Sequence, residues 1–248
     1  MVASMIAHKI NQTVLGTAAL VLAIAFWHRN DLPEPREVAP QLSRAPVQRA
    51  VERAPFTVDY ADVRYTVEPL YDYDLYGLVV SLRQHDGTSR MHRLANDHLN
   101  VADLCVVWSD NATNERLGKI RFWNGIFTCN FQTRDAAAWR SFKTNEVSNN
   151  HLITADAAIR DRIADVAIGD QVHIHGWLSA YGSPGHGKRG TSTTRDDTGD
   201  GACETILVDR FEIVSKAFGF WRATLYVALA VALLSLVVHF RLPYRPYG

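Results

Sequence analysis

Cysteine is scarce in this chain, three in 248 residues, and neither charge is in excess, since 26 Lys and Arg balance 26 Asp and Glu. Three cysteines close at most one internal disulfide, which excludes a disulfide-stapled scaffold. They stand at positions 105, 129 and 203 with no C-x-x-C pair, an arrangement that argues against a thioredoxin-like redox motif and a structural zinc site. Zero net charge removes any global pull toward nucleic acid or an anionic bilayer. Catalytic signatures are missing too: no G-x-S-x-G elbow, H-E-x-x-H pair or Walker loop occurs. No side chain is thereby marked as nucleophile or base, and no cofactor is expected.

Hydrophobic residues make up 47% of the chain, and they are unevenly placed. The densest run, Ala223 to Phe240, lies between Arg222 and Arg241. At 1.5 Å per residue it forms about 27 Å of helix, close to the hydrocarbon thickness of a bilayer. Its few polar residues, Thr224, Ser235 and His239, are scattered rather than gathered on one face, so a membrane span is predicted over 217–241 with a short tail at 242–248. A second apolar run, Thr13 to Trp27, lies within residues 1–27. It reads as a membrane anchor, Phe26 and Trp27 suiting an interfacial belt, or as a signal-like segment, because Ala23-Ile24-Ala25 fits an A-x-A cleavage pattern. Flanking Lys and Arg do not decide orientation. A signal-like start and an Arg-containing tail are most easily reconciled with both ends cytoplasmic. The expected location is therefore the inner (cytoplasmic) membrane, with the main domain periplasmic or extracytoplasmic.

Residues 28–55 carry five of the nine prolines, five Arg and four acidic residues. They read as an extended linker, either a spacer or a strap lying along a partner. From 56 to 216 the pattern becomes short period-two runs rich in Val, Ile, Tyr, Phe and Trp. Strands are predicted over 75–82, 104–108, 119–131 with a turn or bulge at Asn124-Gly125, 170–181, and 205–214 with a phase shift near Asp209. Of two helices, 135–142 is weak. The other, 155–167, has Thr154 as its expected N-cap and Ile159, Ile163 and Val166 on one face.

Those elements carry a resemblance. The strand Asp74-Leu-Tyr-Gly-Leu-Val-Val-Ser, a middle pair ending in Phe127-Thr-Cys-Asn-Phe131, a helix, then Ile168-Gly-Asp-Gln-Val-His-Ile-His-Gly-Trp-Leu178 and a last strand to Val214 together look like an OB-fold. The resemblance implies a mainly β domain with one or two short helices, built as an OB-like five-stranded barrel and flanked by two terminal transmembrane helices. Another antiparallel barrel or a sandwich is the alternative. OB-like barrels often bind oligonucleotides or oligosaccharides. Residues 55–216, however, hold 17 Lys and Arg against 22 Asp and Glu, the wrong sign for nucleic acid.

Candidate sites are sparse. His173 and His175 put two imidazoles on one strand face, and His186 in the following loop offers a third nitrogen, the composition of a metal site and of a metal-dependent hydrolase. The same stripe continues through Trp177 and Tyr181, as an amphipathic outer surface would. Trp177, Tyr181 and Arg195 are candidates for contacting an envelope oligosaccharide or small molecule, Arg195 from the 23-residue loop Gly182 to Glu204. The acidic end of that loop has calcium-loop composition but lacks the D-x-D-x-D-G spacing and distal Glu. Ser148-Asn-Asn-His151 reads as turn and pre-cap chemistry. The leading expectation is a membrane-anchored, non-catalytic accessory or assembly subunit. Its partners would be membrane lipid and either other membrane proteins or further copies of itself, and not nucleic acid.

Overall fold

The computed structural model describes residues 2–85, 90–194, 197, 203–217 and 219–242. They form two compact units. The first comprises α1 (Val2–His28) and, much later in the chain, α6 (Phe220–Arg241). The second, from Leu32 to Ala217, contains in order β1 (Val47–Ala50), β2 (Phe56–Tyr60), β3 (Val63–Gln84), α2 (Arg90–Ala95), β4 (Asn100–Val107), α3 (Ser109–Ala112), β5 (Arg121–Asn124), β6 (Cys129–Gln132), α4 (Ala136–Ser141), β7 (Val147–Ile153), α5 (Ala157–Ala164), β8 (Gln171–Gly182) and β9 (Cys203–Ser215).

In the first unit, α1 and α6 lie antiparallel and are both long and apolar enough to span a bilayer, with mean hydropathies of 1.6 and 2.2. Small residues form the seam: Ala18, Ala25, Ala228 and Ala232 are buried, while Leu20, Phe26, Leu234 and Phe240 point outward. One polar lock crosses it. Asn11 Nδ2 donates to the Ser235 carbonyl at 3.1 Å, and Ser235 Oγ donates to Asn11 Oδ1 at 2.8 Å. Small residues with an interhelical amide–hydroxyl bond are the usual means of holding two helices together where no hydrophobic effect between them is available. α1 runs unbroken through Ala23-Ile24-Ala25.

The second unit is mostly sheet. A seven-stranded sheet has the path β1-β3-β4-β7-β9-β8, and β3 pairs with β8 as well, so hydrogen bonding runs β3-β4-β7-β9-β8 and back to β3. Every neighbour in that circuit is antiparallel except β7 and β9, which are parallel. The 22 residues of β3 serve β1, β2, β4 and β8 in turn. One face of the circuit packs Tyr73, Leu75, Val79, Leu104, Val106, Leu152, Ile174, Ile206 and Phe211 together, and α5 adds Ile159 and Ile163. The N-cap of α5 is Asp156, whose carboxylate accepts from Ile159 N–H at 3.0 Å; the expected cap, Thr154, instead accepts from Asp156 N–H one step earlier. Gly169, at φ 90°, stops the chain after the helix, and its N–H reaches the Val79 carbonyl.

Three differences from the sequence reading stand out. Among the described residues the domain has four short α-helices, α2 to α5, rather than one or two, because runs of four to eight residues are too short to declare a 3.6-residue period. Its strands exceed five, since β1 and β2 extend the sheet and β5–β6 form a separate hairpin. The proline-rich stretch from Leu32 lies along the domain: Leu42 is fully buried, Gln171 bridges the Ala39 N–H and the Glu37 carbonyl, and β1 pairs with β3. The phase shift near Asp209 is a bulge. His175 opposes Arg210 and Gly176 opposes Val208, leaving Asp209 as the extra residue.

At the bulge, β9 backbone passes directly over Gly176, where an added Cβ would collide with the Leu207 carbonyl. Backbone paired on both sides cannot yield as a side-chain tip would. Gly176→Ala is expected to destabilise the domain by about 2–3 kcal/mol, measured by thermal unfolding of the purified protein.

Candidate functional site

A second core lies on the other face of β3 and β4, where the segment between β4 and β7 folds back over the sheet. Leu78, Val80, Cys105, Val107, Val147, Ala138 and Phe142 are buried there, with Phe122 and Phe131 of the hairpin packed against them. The hairpin is pinned covalently by a Cys105–Cys129 disulfide, with Cα atoms 5.4 Å apart. It is pinned by polar contacts too. Arg83 donates to the Gly125 carbonyl at 3.2 Å, Cys203 Sγ to the Phe127 carbonyl at 3.5 Å, and Ser81 Oγ to Asn124 Oδ1.

Beside the disulfide sits a buried polar network on adjacent strands. Asp103 of β4 opposes His151 of β7, which opposes Thr205 of β9; two residues along, Cys105, Asn149 and Cys203 form the next row. Directly opposed residues share a sheet face; from it Cys105, Asn149, His151 and Cys203 reach the hairpin, while Thr205 Oγ1 donates to the Gly190 carbonyl. Asp103 is inaccessible to solvent, and its two carboxylate oxygens lie 2.6 Å from His151 Nδ1 and 3.1 Å from His85 Nε2. Burial alone would raise the Asp103 pKa, but the hydrogen bonds from His151 and His85 outweigh it and hold the carboxyl well below the usual carboxylate range. Asn124 Nδ2 ties the hairpin to both the Asp103 carbonyl and Asn149 Oδ1, each at 3.3 Å. Phe127, at φ 59°, lays its ring edge-on to His151, 5.8 Å between centroids, and the Arg189 guanidinium covers its other side at 3.9 Å.

Between the hairpin and β7 opens a cleft of about 250 Å³, lined among others by Trp123, Cys129, Asn130, Thr144, Asn149 and Cys203. It combines an aromatic wall, amide and hydroxyl groups, a disulfide sulfur and a thiol. A smaller cavity of about 80 Å³ lies beside Tyr65, Asp97, Tyr181 and Arg189.

The residues singled out from sequence fall elsewhere or only at the margin. His173 and His175 do share a strand face, but each has its own carboxylates. His173 Nε2 is 3.0 Å from Asp74 and its ring stacks on Tyr76 at 4.0 Å; His175 is 2.6 Å from the bulged Asp209 and 3.4 Å from Asp72. His186 Nδ1 lies 3.2 Å from the Pro184 carbonyl and its backbone N–H bonds the Ser183 carbonyl, both in its own loop. Among the described residues no group of three or more His, Cys, Asp or Glu is arranged to hold a metal ion. Trp177 lies under the Arg53 guanidinium at 4.6 Å. Tyr181 is buried, donates to Asp97 at 2.8 Å and borders the smaller cavity; burial above all, and then the Asp97 charge, push its phenol pKa upward. Arg195 lies outside the described residues.

Sequence reasoning missed the principal network. Ser148-Asn-Asn-His151 is not a turn but the centre of β7, a strand buried along its whole length. Its polar side chains defeat the period-two pattern because they bond to one another along the strand and to Asp103, the Leu104 carbonyl and Asn124 beside it. One signal was available: Asp103 is the lone charge inside the otherwise uncharged run Asn100 to Val107, and a buried carboxylate demands partners. Compared with family models, with curated proteins and with solved structures, the chain matches none.

Proposed function

We propose that this chain is a membrane-anchored accessory or assembly subunit, non-catalytic, whose two terminal helices hold an OB-like barrel on the extracytoplasmic face of the inner membrane, where it binds partner proteins. The observation that carries this reading is the Cys105–Cys129 disulfide in a domain whose chain begins and ends in apolar helices. Disulfides persist in oxidising compartments and are rare in the cytosol. A helix pair with a small-residue seam and large apolar side chains facing outward suits lipid rather than water. For the barrel, the support is the pairing circuit β3-β4-β7-β9-β8, with one parallel pair and with α5 between β7 and β8 in the chain. Trp123, Ile126 and Trp139 are exposed on the segment that covers the sheet, and exposed tryptophans are favoured anchors of protein interfaces.

Two experiments test this. Carbonate washing of membranes should leave the chain in the pellet; release as an intact soluble protein would overturn the anchoring. External protease added to spheroplasts should cleave the domain, whereas full protection would place it on the cytoplasmic side. For the partner role, Trp123→Ala with Trp139→Ala should remove proteins that co-purify in mild detergent while leaving the melting temperature within about 2 °C, because exposed substitutions cost little stability. A second reading, binding of an envelope oligosaccharide or small molecule, is favoured by the polar and aromatic lining of the 250 Å³ cleft.

A further inference from the structure

The three cysteines converge on one place. Cys105 and Cys203 lie in one cross-strand row, each opposite Asn149, on β4 and β9 respectively. With strands about 4.8 Å apart, their Cα atoms are separated by about 10 Å, beyond the reach of a disulfide. Cys129 belongs to neither strand. It sits at the start of β6 in the separate hairpin, bonded to Cys105, and it shares the walls of the cleft with Cys203. The Cys203 sulfur already touches this hairpin, at the Phe127 carbonyl two residues before Cys129. Phe127 and Cys129 are two residues apart, so their Cα atoms are separated by at most about 7 Å, and a short displacement of the hairpin across the cleft that both cysteines line brings the Cys129 sulfur to Cys203.

We propose that the domain is a thiol–disulfide exchange centre in which Cys203 attacks the Cys105–Cys129 disulfide at Cys129. The Cys203 thiol gives its proton to water in the cleft. Its sulfur lone pair then forms the bond to Cys129 Sγ as the Cys129–Cys105 bond breaks, and the electron pair leaves on Cys105 Sγ, which takes up a proton. One disulfide is broken and one formed, so no external oxidant or reductant enters. Cys129 acts as the mobile partner, carried between two fixed sulfurs by the hairpin. The state with Cys129 bonded to Cys203 releases the hairpin from β4 and fastens it to β9, changing the cleft between them. Cys105 is left as a buried thiol in an apolar cluster, a setting that free cysteine tolerates well.

The test uses the full-length protein in detergent, incubated at pH 6.5, 7.5 or 8.5, acid-quenched, alkylated after unfolding, and mapped by peptide mass spectrometry. The expected result is a Cys129–Cys203 linked peptide with alkylated Cys105, appearing about tenfold faster at pH 7.5 than at 6.5 because the thiolate is the attacking species. Cys203→Ser should abolish this product and leave Cys105 unlabelled. Cys105→Ser, treated with a mild thiol oxidant, should trap the Cys129–Cys203 bond directly. A Cys105–Cys203 peptide must not appear, because the sheet holds those sulfurs apart. All three pairings together would indicate scrambling of unfolded chains and overturn the proposal. So would Cys203 alkylated in full at every pH with Cys105–Cys129 intact.

Discussion

Asp103→Asn is expected to destabilise the domain by about 3–5 kcal/mol at pH 7, one of the largest single-residue effects in the protein. The carboxylate is fully buried and serves His151 and His85 at once, with Asn100 Nδ2 also donating to it at 3.2 Å. An amide of the same shape has one acceptor atom where the carboxylate has two, and its NH2 meets an imidazole N–H head-on. Removing a buried carboxylate that serves several donors costs this much because those donors stay desolvated without an acceptor. The pH dependence has a definite sign. Asp103 has its folded pKa depressed below the unfolded value near 3.9, so its stabilisation is fully present above that range and is lost as pH falls through it toward the folded value. The gap between wild type and Asp103→Asn should therefore shrink as the pH falls below about 4. Urea unfolding at several pH values below about 5 measures this, and a gap that widens from about pH 4 downward would contradict the assignment.

Cys129→Ser, or reduction of the wild-type disulfide, should cost about 3 kcal/mol, the loop-closure entropy of a crosslink spanning 24 residues. For a domain of this size that lowers the melting temperature by about 6–12 °C. The loss should be local in character as well. Among the described residues the hairpin β5–β6 makes no strand pairing to the main sheet, so without the disulfide it is held by Asn124, Arg83, the Cys203 contact and its aromatic packing. Hydrogen exchange should show residues 121–132 opening at lower free energy than β4 and β7. A reduced protein with unchanged melting temperature and unchanged exchange in the hairpin would show the crosslink to be energetically idle.

Much of the architecture was legible from periodicity. The run Ala223 to Phe240 is apolar for long enough to declare its helix, and α6 extends it by three residues at one end and one at the other. The alternation of β8 survives in its burial only from Ile174 to Leu178, where His175 and Trp177 are partly exposed, and the slip at Asp209 is visible as a change of phase because an extra residue reverses which side chains face inward. The hairpin turn is readable at Asn124-Gly125, where Gly125 N–H bonds the Thr128 carbonyl across the turn. The site was not legible in the same way. Asn149, Asn150 and His151 have the composition of a turn, and only the neighbouring strands turn them into buried, bonded residues.

By itself the sequence determined the two apolar helices, the β character of the middle, and the bulge and turns that punctuate it, because each follows from residues adjacent in the chain. Only tertiary structure decided which cysteines meet, that His151 and His85 share one aspartate, and that the proline-rich segment lies on the sheet. These pairings join positions 18 to 134 residues apart. No local preference encodes such contacts; they exist because strand register brings distant side chains to one face, where burial makes every unpaired polar group costly.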